Sequence, residues 1–169
     1  MTRQPIPIQV AVEDPLSDAV VRTLLGQSSS KFAIGATYMR GGFGYLRRTV
    51  AGFNQAAHGT PFLVLTDLDR AACPPALIGD WLPQPKHHNL IFRVAVRAVE
   101  AWILAHREEF ARLLGIRASL IPDEPDVLEN PKATLVGLAA KSRLRSVRDA
   151  IVPARGSTAA AVERFSPTW

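Results

Sequence analysis

The chain carries a single cysteine, Cys73. An intramolecular disulfide is thereby excluded, and a zinc site built on thiolates has no second sulfur to draw on. Cys73 has no evident histidine partner to activate it, so thiol nucleophile chemistry is not expected. Long apolar runs are also missing: nothing approaches the roughly 20 residues that a membrane-crossing helix needs. The opening MTRQPIPIQVAVEDP has no apolar stretch behind a basic cap, so it does not read as a secretory signal. Internal repeats and low-complexity tracts are absent. These absences lead to the expectation of a soluble, cytoplasmic protein with no membrane partner.

What is present is an ordinary globular balance, 47% hydrophobic and 21% charged over 169 residues. That length is most simply one domain able to bury a real core. The net charge of +5 and the pI of about 10.0 favour an anionic partner without identifying it. Part of the excess is concentrated in KSRLRSVRDAIVPAR, where Lys141, Arg143, Arg145, Arg148 and Arg155 face one acid, Asp149. If this stretch is partly helical, several of these residues form one basic surface, which suits either nucleic-acid contact or plain solvation.

Hydrophobic patterning sets the order of elements. Gln9 to Val12, led in by PIPIQ, reads as a first strand. Asp14-Pro15 is a helix start, with Asp at the N-cap and Pro at the first helical position. The helix that follows runs to Gly26, with Leu16, Val20, Leu24 and Val21 as its apolar stripe. KFAIGATYM is a second strand. RGGFGYLRRTVAGFNQAA is a glycine-rich turn opening a helix whose apolar face includes Leu46, Val50 and Phe53. PFLVLT is a third strand, apolar without interruption, as expected when both faces are covered. A short segment, ALIGDWL, follows Pro74-Pro75. NLIFRVAVR is a fourth strand, with Phe92, Val94 and Val96 on one side and Arg93 and Arg97 on the other. VEAWILAHREEFARLLG reads as one helix with Trp102 and His106 on its packed side, and a last helix spans Pro131 to about Lys141. Strand–helix alternation predicts an α/β fold: a mostly parallel central sheet of about four strands with helices on both faces. The whole of 1–169 reads as one domain with a helical C-terminal part from about 131.

In such sheets function gathers at the carboxyl ends of the strands. Glu13 follows strand one, Asp67 and Asp69 follow strand three, and Glu100 lies just after strand four. The spacing of Asp67 and Asp69 puts both on one side of an extended backbone, within reach of one hard cation. Mg²⁺ wants oxygen ligands and keeps several waters, so two or three carboxylates suffice. An Asp-x-Asp pair at a strand end is also common with no metal at all, and Glu100 suits the helix dipole by itself. Gly41, Gly42 and Gly44 with Arg40, Arg47 and Arg48 form either a tight turn or a phosphate cradle, but without the Gly-Lys-Ser/Thr ending this is no P-loop. Asn130-Pro131 is explained by helix capping. Lys132 is open between a solvated helix start and a phosphate contact. His87 and His88 are adjacent in a loop and read as solvated.

Glu13 after a first strand, then Asp67-x-Asp69 after an apolar strand, resembles the Toprim domain of topoisomerases, primases and nucleases of the overcoming-lysogenization-defect type. More closely, TPFLVLTDLDRAACP, NLIFRVAVRAVEAWILAH and ENPKATLVGLAAKSR resemble an uncharacterised family of small bacterial Toprim-like proteins, from about Val10 to Pro153. The resemblance implies a Toprim-like core, Mg²⁺ (or Mn²⁺) at Glu13, Asp67 and Asp69, and phosphodiester chemistry. Glu100 would complete the site or position water, and Lys132, matching the family's Pro-Lys pair, would stabilise the phosphate. The chain departs from the family pattern at Ala98, where relatives often have a carboxylate, at His106, where they have Asp, and at Asp14, where they have Gly. Asp14 either compensates for a lost acid or caps the helix. Relatives also usually run on beyond the equivalent of Trp169.

The function expected by resemblance is a Mg²⁺-dependent nuclease, in phage defence or mobile-element maintenance, with nucleic acid contacted by Arg40, Arg47, Arg48, Lys141, Arg143, Arg145 and Arg148. The alternative is a non-catalytic Toprim-like module that binds nucleic acid or a partner protein such as an ATPase. Topoisomerase and primase are disfavoured, since nothing resembles a tyrosine-bearing domain or a zinc module. A metal-dependent glycosyltransferase needs a second half that is missing here. Phosphatases of the haloacid-dehalogenase type place Asp-x-Asp after the first strand, not the third.

Overall fold

A computed structural model describes residues 4–153 of the chain. They divide into two compact units, with the boundary between Val94 and Ala95. The first unit is built on four strands: β1 (Ile6–Val12), β2 (Phe32–Tyr38), β3 (Phe62–Asp67) and β4 (Leu90–Ala95, reaching the boundary). They form one parallel sheet in the order β2-β1-β3-β4. Three helices connect them: α1 (Pro15–Gln27), α2 (Gly42–Ala56) and α3 (Pro74–Trp81). The chain steps from β1 to β2 in one direction and from β2 to β3 in the other. Right-handed crossovers therefore put α1 and α2 on opposite faces of the sheet. Burial agrees: Val10, Ala11 and Val12 are consecutive in β1 and all buried, as are Val64, Leu65 and Thr66 in β3.

β1 is longer than expected, because it takes in Pro7. Proline removes a ladder donor and is normally excluded from inner strands. The alternation of N–H groups removes the conflict. Ile6 N–H donates to Lys31 on the β2 side, while Gln9 N–H donates to Pro61 on the β3 side, so the position of Pro7 also faces β3. Pairing with β3 begins only at Gln9, so no ladder bond is lost there. The β1–β2 register then shifts: Ile8 pairs with Ile34 but Val10 pairs with Thr37, leaving two β2 residues opposite Gln9. The Gln9 side chain absorbs the mismatch, its Oε1 accepting the Ala36 N–H at 2.5 Å. Gly35 makes room, since a Cβ there would lie 2.6 Å from Gln9 Nε2.

Local signals place the helices. Asp14 caps α1, its Oδ1 accepting from Ser17 N–H at 2.8 Å, with Pro15 in the first turn. The buried stripe of α1 is Leu16, Ser17 and Val21, whereas Leu24 is 54% exposed; the face is rotated from the expected one and tolerates a small polar residue against the sheet. Leu46, Val50 and Phe53 are the buried face of α2, as expected. Gly41 and Gly42 both take positive φ, 76° and 61°, the left-handed conformation that glycine adopts at no steric cost. The glycine-rich segment is thus a tight strand-to-helix turn.

The second unit, described over 95–153, is helical: α4 (Val99–Ala105), α5 (Arg107–Leu114), α6 (Pro131–Ala140) and α7 (Arg145–Ile151), with 3₁₀ turns at Ala118–Leu120 and Pro125–Val127. The helical part thus begins at Val99, upstream of 131. Its core is formed by Val99, Leu104, Phe110, Leu114, Ile121, Leu135, Leu138, Val147 and Ile151. The single helix expected over VEAWILAHREEFARLLG is broken at His106, where φ is −88° and ψ 58°. The break turns two residues expected to pack out toward solvent. Trp102 is 36% exposed, and the exposed His106 holds Glu109 Oε2 through Nδ1 at 2.5 Å. β4 ends at Ala95, so Val96 and Arg97 lie beyond the strand. Asn130 caps α6 by accepting from Ala133 N–H at 2.9 Å. Among the described residues no helix is long and apolar enough to cross a membrane.

One buried polar residue ties loop to helix in the first unit. Asn54, 3% exposed in α2, accepts His87 N–H at 2.8 Å and donates to the Pro85 carbonyl at 3.1 Å. Removing it strands one donor and one acceptor, each costing about 1–3 kcal/mol when desolvated. Asn54→Ala is therefore expected to lower unfolding stability by about 2 kcal/mol, read from the midpoint shift in urea denaturation at unchanged slope.

Candidate functional site

The strand order reverses between β1 and β3: the chain leaves β1 toward β2 and returns past it to β3. In open parallel sheets such a reversal opens a crevice at the carboxyl ends, because the flanking helices diverge to opposite faces. Glu13 is the residue after β1 and Asp67 is the last residue of β3, so both stand at this point. The Glu13 carboxylate is turned across to β3. Its Oε1 accepts from the Thr66 hydroxyl and from the Asp67 backbone N–H at 3.0 Å. Both bonds fall on one oxygen, and Oε2 receives no hydrogen bond among the described residues.

Burial raises the pKa of Glu13 above the ordinary carboxylate value, and the negative charges of Asp69 and Asp14 push the same way. The bonds from Thr66 and Asp67 oppose them without prevailing. Asp14 spends one oxygen on its helix cap, so the helix-capping reading of this residue holds. Asp69 reaches the neighbourhood of Glu13 by a route other than the expected one. The strand stops at Asp67, and Asp69 has φ 48°, the only non-glycine residue with positive φ among the described residues. A left-handed turn, not the pleat of an extended strand, sets its position. Asp tolerates that conformation better than most residues, and such outliers gather at functional sites.

The three acids do not form a ready cage. Among the described residues, no group of three His, Cys, Asp or Glu side chains is placed to hold a metal ion. A hard cation that keeps its waters and takes one or two carboxylates, completed by a substrate's phosphate oxygens, fits the free Oε2 of Glu13 and the adjacent negative charge of Asp69. A closed three-carboxylate site does not fit.

Glu100 and Lys132 belong to the second unit. Glu100 lies in the first turn of α4 and is buried, 4% exposed. Lys132 is the second residue of α6, half-buried behind the Asn130 cap. Of the basic candidates in the first unit, Arg40 is exposed beside the Gly41 turn, Arg47 pairs with Asp80 at 2.9 Å, and Arg48 lies along α2 with Nη1 3.3 Å from where a Gly44 Cβ would be. The basic stretch of the second unit does not form one helical face. α6 ends before Lys141, and Ser142 to Leu144 interrupt the chain before α7. Arg145 pairs with Asp149, and Arg148 donates to the Ser142 carbonyl at 2.5 Å. Arg155 lies outside the described residues.

The first unit also brings a third histidine to the adjacent pair His87 and His88. His58, His87 and His88 lie in tilted ring contact, with centroids 4.1 and 4.2 Å apart in succession, beside a cavity of about 570 Å³ that Lys86 and Gln84 also line. His87 is partly buried, not freely solvated. Its Nδ1 accepts the Asn89 N–H at 3.2 Å, which requires that nitrogen to be unprotonated. Burial and then the neighbouring charges of His58, His88 and Lys86 lower its pKa in the same sense. The separation of His58 from His87 in sequence hides this cluster from any motif.

No family model, no curated protein and no solved structure matches this chain.

Two pH effects follow. The folded state holds the Glu13 proton to higher pH than the unfolded chain does. Stability from this group is therefore fully present below the unfolded carboxylate pKa and is lost as pH rises through the raised folded value. Glu13→Gln keeps an acceptor without the charge. In EDTA it is expected to melt above wild type at pH 7.5, with the gap closing toward pH 4; a lower melting temperature at pH 7.5 would contradict this. His87 has the opposite sign: its contribution is present above the unfolded pKa of about 6.5 and is lost as pH falls through the lowered folded value. Acidification is expected to speed hydrogen exchange at the Asn89 amide before the sheet amides, and His87→Asn to flatten that response.

Proposed function

We propose that the chain is a Toprim-like protein whose first unit carries a Mg²⁺- or Mn²⁺-dependent centre for hydrolysing nucleic-acid phosphodiesters. The observation that carries this reading is the Glu13 carboxylate, held by β3 through Oε1 at the reversal of strand order, with Oε2 left over and like charge beside it. Burial first, and then the charges of Asp69 and Asp14, raise the pKa of Glu13, and a cation bound beside it would offset both.

Each residue has a part in it. Thr66 and the Asp67 N–H hold Oε1 and so fix the rotation of the Glu13 carboxylate. The Asp69 turn brings a second charge to the same place. A divalent ion bound there supplies neutralisation of phosphate charge and a lowered pKa for a bound water. The basic excess of the chain, +5 overall, favours a polyanionic substrate.

A second reading is a non-catalytic module that binds nucleic acid. It is favoured by the lack of a three-donor metal grouping among the described residues. Incubation of plasmid, single-stranded DNA and RNA with Mg²⁺ or Mn²⁺ separates the two. Cleavage is expected for wild type, with losses on the order of 100-fold in Asp67→Asn and Asp69→Asn. No cleavage with either metal, together with no calorimetric metal binding sensitive to those changes, sinks the enzyme reading; binding without cleavage would then support the second.

A further inference from the structure

Several cations of the second unit are answered close by, and three others share a cavity. Arg107 pairs with Asp123, Arg112 with Glu109, and Arg145 with Asp149, while Arg148 is held by the Ser142 carbonyl. The side chains of Arg117, Lys141 and Arg143 take no ion pair or hydrogen bond among the described residues, and they line the same cavity, about 550 Å³, with Gly115, Ile116 and Leu120. No acid lines it.

The backbone builds this convergence. Gly115 ends α5 at φ 63°, a left-handed turn that carries the chain back toward Arg117. Leu144 packs onto Gly115, its Cγ 3.4 Å from where a Cβ would be, and so brings the segment after α6 against the end of α5. Arg117 comes from one side of that contact, Lys141 and Arg143 from the other.

Cations near helix C-termini often serve to answer the last carbonyls. Part of that need is already met by the backbone. Gly115 and Ile116 N–H groups cap the carbonyls of Arg112 and Ala111, and Lys141 and Ser142 N–H groups cap those of Leu138 and Ala139. Three unpaired like charges around one cavity repel unless an anion sits among them. Three cations suit the oxygens of one phosphate, to which guanidinium groups bond in a bidentate manner. The volume exceeds what one phosphate fills, and Ile116 and Leu120 give the remainder an apolar wall. We propose that this cavity binds a phosphate ester, its phosphate held by Arg117, Lys141 and Arg143 and its sugar or base lying against Ile116 and Leu120. Arg117 is outside the basic stretch of the sequence, and the pocket owes nothing to the acids of the first unit.

The test is fluorescence anisotropy of a short labelled single-stranded oligonucleotide on the full chain in EDTA. Arg117→Gln, Lys141→Gln and Arg143→Gln are each expected to weaken binding about tenfold and to reduce the logarithmic salt slope by about 0.7. Arg112→Gln and Arg145→Gln remove the same charge from paired residues and are expected to stay within about twofold of wild type. Melting temperatures equal to wild type establish that the pocket variants fold. Displacement of the probe by adenosine monophosphate assigns the pocket to a free nucleotide; displacement by unlabelled oligonucleotide alone assigns it to a nucleic-acid backbone. Pocket variants that bind as well as wild type, or that lose no more than the paired controls, overturn the proposal. This binding is read in EDTA and the cleavage in Mg²⁺ or Mn²⁺, so failure of the cleavage reading and failure of this one are told apart.

Discussion

β1 has hydrogen-bonded neighbours on both edges and helices over both faces, so its last three residues have no solvent to face. That constraint organises the first unit. A strand enclosed on four sides must be apolar and must satisfy every backbone group within the sheet. The first point at which it can present a charged side chain is the residue after it leaves the sheet. Glu13 is that residue, and Thr66 and the Asp67 N–H of the neighbouring strand receive it. The reversal of strand order then opens space beside a carboxylate that the sheet has already oriented.

The electrostatics of the two units differ in kind. In the first, acids gather at one sheet end, where the buried Glu13 is held by Thr66 and the Asp67 N–H. In the second, several arginines find an acid or a carbonyl nearby, while Arg117, Lys141 and Arg143 line one cavity. The total of +5 says nothing of this division, because pairing is a matter of geometry and a sum of charges contains none.

The parts of the fold that were legible in sequence are those set by local chemistry. Asp14-Pro15 starts a helix whatever surrounds it, and Leu46, Val50 and Phe53 can share a buried face in only one conformation. The apolar run PFLVLT could be read as an inner strand because burial on both faces leaves no polar alternation. What could not be read depends on tertiary contacts. The break at His106 is marked by neither proline nor glycine, so the apolar period runs through it, and Trp102 was expected on the packed side. The buried stripe of α1 takes in Ser17 and leaves Leu24 exposed, which the apolar period alone does not show. In the site, the strand-end acids were visible as residue types, but the grip of Thr66 on Glu13 depends on strand order. The left-handed turn at Asp69 depends on where β3 stops. Arg117 joins Lys141 and Arg143 only through the contact of Leu144 with Gly115, and the histidine cluster spans a helix end and a distant loop.

The irregular pairing of β1 with β2 bears on how the protein keeps apart from its own copies. β2 lies at an edge of the sheet, and a flat exposed edge is a template on which another chain can add a strand. The extra residue opposite Gln9 bends and twists β2 locally, and the Gln9 amide ties up the Ala36 N–H from within. An incoming strand would meet neither a straight run of donors nor an even spacing of acceptors. The glutamine that repairs the register also makes this edge a poor surface for polymerisation, a safeguard against aggregation placed in the sheet interior and not on the edge it protects.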